Sequence, residues 1–412
     1  MVVVRLLVSS ALLGVVIALG FEAFETAMHH VRDLLWHDLI GDDPAAWATI
    51  ALATVGGLAL GLALRFLPGH GGDHPADGHG LIPDVEGRLV LVVSTLVVGF
   101  VSLVAGASLG PEGAIIPAAA GISLVAARWF RLPGALPRLM PGVGVSALLA
   151  TMFGSPLAGA VPLLEMAAGA AVPVPLVMVV LPSLTASATA VITLDLIDAE
   201  ASGFLPLGYE GFARGHLLWA VVLGVLAGAT GLAVARLVPL LRTVTRRIDS
   251  RSVVLTATLG GFGLGVLYVI GGPEVRFAGI PEILILVQES PAAGVALFAV
   301  VVKLLATTWC LASGYRGGRI FPIAFLGAAT GLVVHAVFDG LPVSVALGCG
   351  IAGALATGLG TPVTAALVAG AVLGPELLPV AIISVVVAHT VHLLAAQLAP
   401  PAPPATAVAP VV

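Results

Sequence analysis

Seven long apolar runs constrain this chain more than any motif in it: Val2–Gly20, Trp47–Leu67, Leu89–Gly106, Leu217–Val238, Val253–Ile270, Ala292–Leu311 and Val380–Leu398. Each is close to the ~20 residues a helix needs to cross a bilayer. In hydrocarbon every backbone N–H and C=O must find a partner within the protein, so such runs are helices. A transmembrane barrel would instead show alternating segments of about 10 residues. Between the long runs lie shorter apolar pieces broken by Gly and Pro: Ala114–Phe130, Val143–Leu164, Ile320–Val337, Val343–Leu359 and Val363–Leu373. The expectation is an all-α polytopic membrane protein of about a dozen helical pieces, several too short to span. Charged residues make up only 9% of the chain, against roughly 25% in soluble domains. The hydrophobic share of 59% excludes disorder. Both cysteines, Cys310 and Cys349, lie in apolar runs, which excludes a disulfide scaffold. A net charge of −5 leaves no footprint for nucleic acid. The first run lacks a small-x-small cleavage site and is read as an uncleaved helix rather than a signal peptide.

Charge sets the orientation. The stretch 21–45 carries six acids and one Arg, whereas Arg128–Arg138 carries three Arg and no acid, and Arg236–Arg251 five Arg and one Asp. The positive-inside rule places the two basic stretches in the cytoplasm. The acidic stretches 21–45 and 195–210 then lie outside. The Pro- and Ala-rich residues 400–412 read as a disordered tail.

The chain repeats itself at an offset of about 200 residues. Gly113-Ala-Ile-Ile-Pro117 recurs as Gly318-Arg-Ile-Phe-Pro322, and Gly154-Ser-Pro-Leu-Ala-Gly-Ala160 as Gly360-Thr-Pro-Val-Thr-Ala-Ala366. Gly80-Leu-Ile-Pro-Asp84 has a looser echo in Ala278-Gly-Ile-Pro-Glu282. The paired prolines are 205, 206 and 198 residues apart, in the same order. Two membrane repeats follow, 1–205 and 206–399. Gly/Pro-interrupted helices at matching places in two repeats mark a transporter's binding site. A broken helix leaves unpaired N–H groups and a partial positive charge at its N-terminus, which suits an anion. Alternatively, these Gly and Pro residues serve only close packing and kinks.

Ionisable groups at bilayer depth are costly and usually functional. Glu112 lies at the mouth of a half-helix in Gly110-Pro-Glu-Gly-Ala-Ile-Ile-Pro117, where its carboxylate can take the anion's place until protonated, or act as a plain N-cap. Glu165 suits a proton relay to the cytoplasmic side, or a carboxylate satisfied by a neighbouring helix. Arg316 and Arg319 flank the second Gly-rich turn and either attract anions or snorkel to an interface. Lys303, mid-helix, reads as a paired structural charge. His29 and His30 read as interfacial, and His389 and His392 as packed in the last helix. The loop with His70, Asp73, His74, Asp77 and His79 fits no closed metal site and reads as a polar loop. The Gly-x-Ser-x-Gly, His-Glu-x-x-His and Walker-type signatures are missing, so no enzyme is expected.

Together these features resemble the CLC family of chloride channels and chloride/proton antiporters, over about residues 50–395. Gly110-Pro-Glu112-Gly113-Ala114 resembles the family's Gly-Arg-Glu-Gly-Pro signature, Gly317-Gly318-Arg-Ile320-Phe321-Pro322 its Gly-x-Phe-x-Pro signature, and Gly78-His79-Gly80-Leu-Ile82-Pro83 its Gly-Ser-Gly-Ile-Pro signature. The stretch Phe153-Gly-Ser-Pro156 to Glu165-Met166 resembles the helix that carries the internal proton-transfer glutamate. The resemblance implies inverted-topology repeats of tilted and broken helices, a homodimer with one pore per subunit, and no cofactor or metal. It implies Glu112 as gating residue, Glu165 as proton-transfer residue, and Gly110, Gly113, Gly318, Ile320, Phe321, His79 and Gly80 around the anion. The chain departs from the family pattern at Pro111, Ala114 and Arg319, in having His79 and Gly80 where the signature Ser belongs, and in having no Tyr after Tyr315. The implied activity is chloride/proton antiport across the cytoplasmic membrane. A passive chloride channel, a fluoride- or nitrate-selective relative and, in a different class, a non-transporting scaffold are the alternatives.

Overall fold

The computed structural model describes residues 2–41, 43–72, 74–76, 85, 87–168, 175–199, 208–209 and 211–397. The expectations for His79 and Gly80, and for the tail 400–412, lie outside them. The first half contributes α1 (Val2–Asp33), α2 (Ala46–Phe66), α3 (Leu89–Val104), α4 (Glu112–Trp129), α5 (Met140–Phe153), α6 (Pro156–Ala168) and α7 (Val177–Leu196). The second contributes α8 (Gly215–Asp249), α9 (Val253–Gly271), α10 (Ile280–Glu289), α11 (Ala293–Ala312), α12 (Ile320–Val337), α13 (Val343–Gly358), α14 (Pro362–Leu373) and α15 (Leu378–Gln397). Among the described residues nine helical stretches are long and apolar enough to cross a membrane, and four apolar helices are shorter, including α3 and α14. The chain is a multi-pass membrane protein.

The Gly/Pro motifs make the breaks. Gly154 has φ 60° and ends α5, and Pro156 opens α6; Gly360 has φ 71° beyond the end of α13, and Pro362 opens α14. A left-handed residue is natural for glycine and ends a helix, while Pro fits the first helical position, where no N–H partner is needed. The same punctuation at an offset of 206 therefore cuts both halves at the same place.

Packing repeats as well. α3 lies on α4 as α11 lies on α12; α5 touches α4, α6 and α7 as α13 touches α12, α14 and α15; α1 meets α7 as α8 meets α15. α2 packs on α9 and joins the halves. Arg128 near the end of α4 donates to the Gly87 carbonyl just ahead of α3, 2.8 Å away, and Thr245 near the end of α8 donates to the Ala312 carbonyl at the end of α11, 2.6 Å away. With the basic stretches on the cytoplasmic side, α4 runs from the interior toward that side. The chain leaving α11 turns back inward, and α12 runs from the interior to the opposite side. The two halves thus have inverted topology. α12 and α13 form the centre and are buried along nearly their whole length.

The acidic stretch 21–45 is helical over much of its length: α1 continues to Asp33 and through a π-helical turn at Leu34–Asp38. Phe21, Met28 and Trp36 are buried on this segment, and that packing holds the helix past its apolar run. At 1.5 Å per residue α1 is about 48 Å long, so its acidic end stands beyond a core of about 30 Å.

Candidate functional site

The two half-helices α4 and α12 begin face to face. Gly110, two residues ahead of α4, and Gly318, two ahead of α12, form an isolated antiparallel bridge: the Gly110 amide donates to the Gly318 carbonyl at 2.9 Å, and the Gly318 amide returns to the Gly110 carbonyl at 2.7 Å. These amides are spent on each other, which departs from the expectation that both face an anion. Gly113 is also required for closeness, because a Cβ there would strike the backbone of Gly317 and Gly318.

Glu112 opens α4 and is 1% exposed. Its carboxylate lies across the bridge at the start of α12: Oε1 accepts from the Ile320 amide at 2.7 Å, and the Phe321 amide faces the same group. Oε2 is buried with no hydrogen-bond partner among the described residues. A negative oxygen on the orphan amides of a helix N-terminus satisfies those donors and complements the helix dipole. A hydrogen bond to such a charged acceptor is worth about 1.5–3 kcal/mol. A Cβ on Gly110 or Gly318 would overlap the carboxylate, so both glycines clear its seat. Phe321 is buried and packs edge-on against Phe153, ring centres 6.0 Å apart. The structure therefore brings Glu112, the expected gate, together with Gly110, Gly113, Gly318, Ile320 and Phe321 of the residues expected around an anion.

Glu165 repeats the arrangement on α14. Its Oε1 accepts from the Val363 amide at 2.8 Å, and its Oε2 from the Thr364 amide at 2.9 Å and the Thr364 hydroxyl at 2.7 Å. Here a neighbouring helix does satisfy the carboxylate. Glu112 on α4 and Glu165 on α6 thus each cap the second-half counterpart of their own helix. Thr364 was not singled out from the sequence, although it lies in the repeated Gly360-Thr-Pro-Val-Thr364 stretch, where a hydroxyl within a helix's first turn is the available signal.

The remaining charges separate. Arg316 is buried and donates to the Gly72 carbonyl at 3.0 Å, so it does not snorkel. Lys303 is fully buried and donates to the carbonyls of Val275, Arg276 and Phe277 at 3.2, 3.0 and 2.6 Å, a structural charge held by backbone rather than by an acid's oxygen. His389 and His392 stack in α15, ring centres 5.8 Å apart.

The sequence matches the family described as voltage gated chloride channel over residues 56–393. It is 32% identical over 335 residues to a protein of Shigella flexneri named ion-transport protein YfeO, spanning 78% of this chain and 77% of that one. The protein of that name from Salmonella typhimurium is 30% identical over 350 residues, spanning 83% of each. Among solved structures, a slow cyanobacterial Cl−/H+ antiporter superposes with a TM-score of 0.80 at 20% identity, with 95% of each chain covered. A CLC-type fluoride/proton antiporter does so with a TM-score of 0.79, again at 20% identity and 95% coverage of each. Broken helices that meet at a carboxylate, inverted halves and this family match agree: the chain belongs to the voltage gated chloride channel family, the CLC family of anion transporters.

Proposed function

We propose that this protein is a secondary active anion transporter that exchanges chloride for protons, with Glu112 as its gate and Glu165 as its inner proton-relay group. One observation carries the reading: the Glu112 carboxylate lies on the Ile320 amide, 2.7 Å away, at the meeting point of two half-helices. A side-chain anion there occupies the seat a diffusing anion needs. Protonation removes its charge and weakens its claim on the amides. The chloride then takes the helix end, and the neutral carboxyl turns away with its proton. Oε2, buried with no hydrogen-bond partner among the described residues, is the oxygen that receives that proton. Glu165 is a second first-half carboxylate seated on a second-half helix end, and its partial burial leaves it open to proton exchange with the cytoplasmic side.

The rest of the assignment follows from the same reading. The repeats divide at 205/206, two copies form a homodimer with separate pathways, and the protein resides in the cytoplasmic membrane. The backbone amides of Ile320 and Phe321, with Gly113 beside them, bind the anion.

The test is flux from proteoliposomes loaded with chloride while external pH is recorded, for wild type, Glu112→Gln and Glu165→Gln. A chloride gradient should drive protons uphill in wild type and in neither variant. Chloride flux without protons in wild type would make the protein a passive channel. Flux of fluoride or nitrate in place of chloride would reassign the anion. Silence for every anion would overturn transport.

A further inference from the structure

The segment that delivers Glu112 is pinned at every second residue. The Val104 carbonyl accepts from the Trp36 indole at 3.0 Å, and the Gly106 carbonyl from the Tyr268 hydroxyl at 2.6 Å. The Ser108 amide donates to Cys310 Sγ at 3.4 Å, its hydroxyl lies 3.3 Å from that of Thr307, and Gly110 pairs with Gly318. Thr307 and Cys310 are on α11, four and seven residues beyond Lys303, so all three share one helix face.

Lys303 holds the remaining pin from beneath. Its three carbonyl acceptors form the turn 275–277, and its ammonium lies over the ring of Phe325 on α12, 5.0 Å from the centroid. Phe277 has φ 51°, a left-handed conformation that bulky residues avoid. Both of its backbone groups are engaged there: the carbonyl takes Lys303, and the amide donates to the Tyr268 hydroxyl at 3.0 Å. The same hydroxyl then holds Gly106. Trp36 packs edge-on against the Phe277 ring, and the Arg32 guanidinium covers it at 4.6 Å. The path from the ammonium to the gate segment is therefore Lys303, Phe277, Tyr268, Gly106, each step a hydrogen bond or the backbone of one residue.

We propose that Lys303 is a positioning residue for the gate: through Phe277 and Tyr268 it fixes the 104–110 segment, and so how firmly the Glu112 carboxylate competes with an anion for the Ile320 amide. This rests on the reading of Glu112 given above. Lys303 touches neither anion nor proton. Removing its ammonium leaves the three carbonyls without a donor and frees Phe277 to relax, which loosens the pin at Gly106. A less firmly placed carboxylate yields the amide more readily. Chloride then saturates at lower concentration, and more chloride passes per proton.

The experiment compares wild type, Lys303→Met, Tyr268→Phe and the distant control Ser384→Ala in proteoliposomes, with hydrogen–deuterium exchange of residues 104–112 measured on the same purified proteins. Ser384 is buried on α15 and donates to the Cys349 carbonyl at 2.7 Å, away from this path. Lys303→Met and Tyr268→Phe should lower the chloride half-saturation and the proton-to-chloride ratio by about two- to tenfold, the span of one net hydrogen bond. Exchange over 104–112 should quicken by a similar factor, and Ser384→Ala should change none of these. A purely structural lysine would reduce the yield of folded protein without moving half-saturation or coupling. Should Lys303→Met fail to fold, Tyr268→Phe decides alone. Variants with wild-type half-saturation, coupling and exchange would overturn the proposal, as would the same shifts in Ser384→Ala. Absence of proton-coupled flux in wild type defeats the reading of Glu112 instead, and exchange over 104–112 then decides whether Lys303 positions the segment.

Discussion

At the residue scale, the glycines around Glu112 differ in what they must avoid, and that difference is testable. A methyl group on Gly318 would meet the end of the Glu112 side chain, which can rotate away. One on Gly113 would meet the backbone of Gly317 and Gly318, which the bridge to Gly110 holds in place. Overpacking of a tight interior costs about 1–3 kcal/mol when nothing can yield. Gly113→Ala should therefore melt at clearly lower temperature than wild type, whereas Gly318→Ala should melt near it and carry a displaced Glu112, read as chloride flux that persists with fewer protons. Equal melting losses in the two variants would show that the carboxylate is no freer than the backbone. Glu112 was legible in the sequence because a charge beside Gly and Pro in an apolar run has few structural excuses. Its partner was not, because nothing local says which amide a carboxylate will reach.

At the element scale, the partner does follow a rule, visible in the sequence separations across the two halves. Glu112 and the Ile320 amide are 208 residues apart, Glu165 and the Val363 amide 198, Ser108 and Thr307 199. These separations fall within two residues of the range of repeat offsets, 198 to 206, between paired prolines. In an inverted repeat, matching elements approach each other beside the axis that relates them, so each glutamate meets the counterpart of its own helix. The repeat was readable from Gly-x-Pro punctuation, and the inversion makes its offset a contact map. For α14 this means its N-terminal amides depend on a side chain from α6. Glu165→Ala should fray α14 and lower stability by about 1–2 kcal/mol, the ordinary cost of losing an N-cap. Glu165→Gln keeps an acceptor and should lose less, and Thr364→Val, which removes the hydroxyl and keeps both amides, less again. Thermal melting in one detergent ranks the three, and a Glu165→Ala protein as stable as wild type would show that water replaces the cap. The long outer end of α1 was not readable, because Glu22 and Glu25 mask a helix held by Phe21, Met28 and Trp36 further along.

At the scale of the whole molecule, orientation rests on charge and on helix length, two independent quantities. α8 is 35 residues long, about 52 Å at 1.5 Å per residue, and so exceeds a core of about 30 Å by several turns. The surplus carries Arg236, Arg242, Arg246 and Arg247, with Arg242 paired to Asp249 at 3.0 Å. A helix end with that charge belongs on the cytoplasmic side. The acid-bearing end of α1 belongs on the other side, although α1 and α8 are counterparts, because inversion turns one over relative to the other. Cys310 and Cys349 are fully buried, so the native thiols give a low background for labelling. In intact cells, an impermeant maleimide should label Asp43→Cys at once. Ser250→Cys, at the end of α8, should react only after the membrane is opened. If Ser250→Cys reacts first, the basic stretches face outward, and Glu165 could not pass protons to the cytoplasm. The same labelling therefore tests the direction of the proposed relay as well as the topology, since Glu165 and the end of α8 are assigned to one side by the same charges.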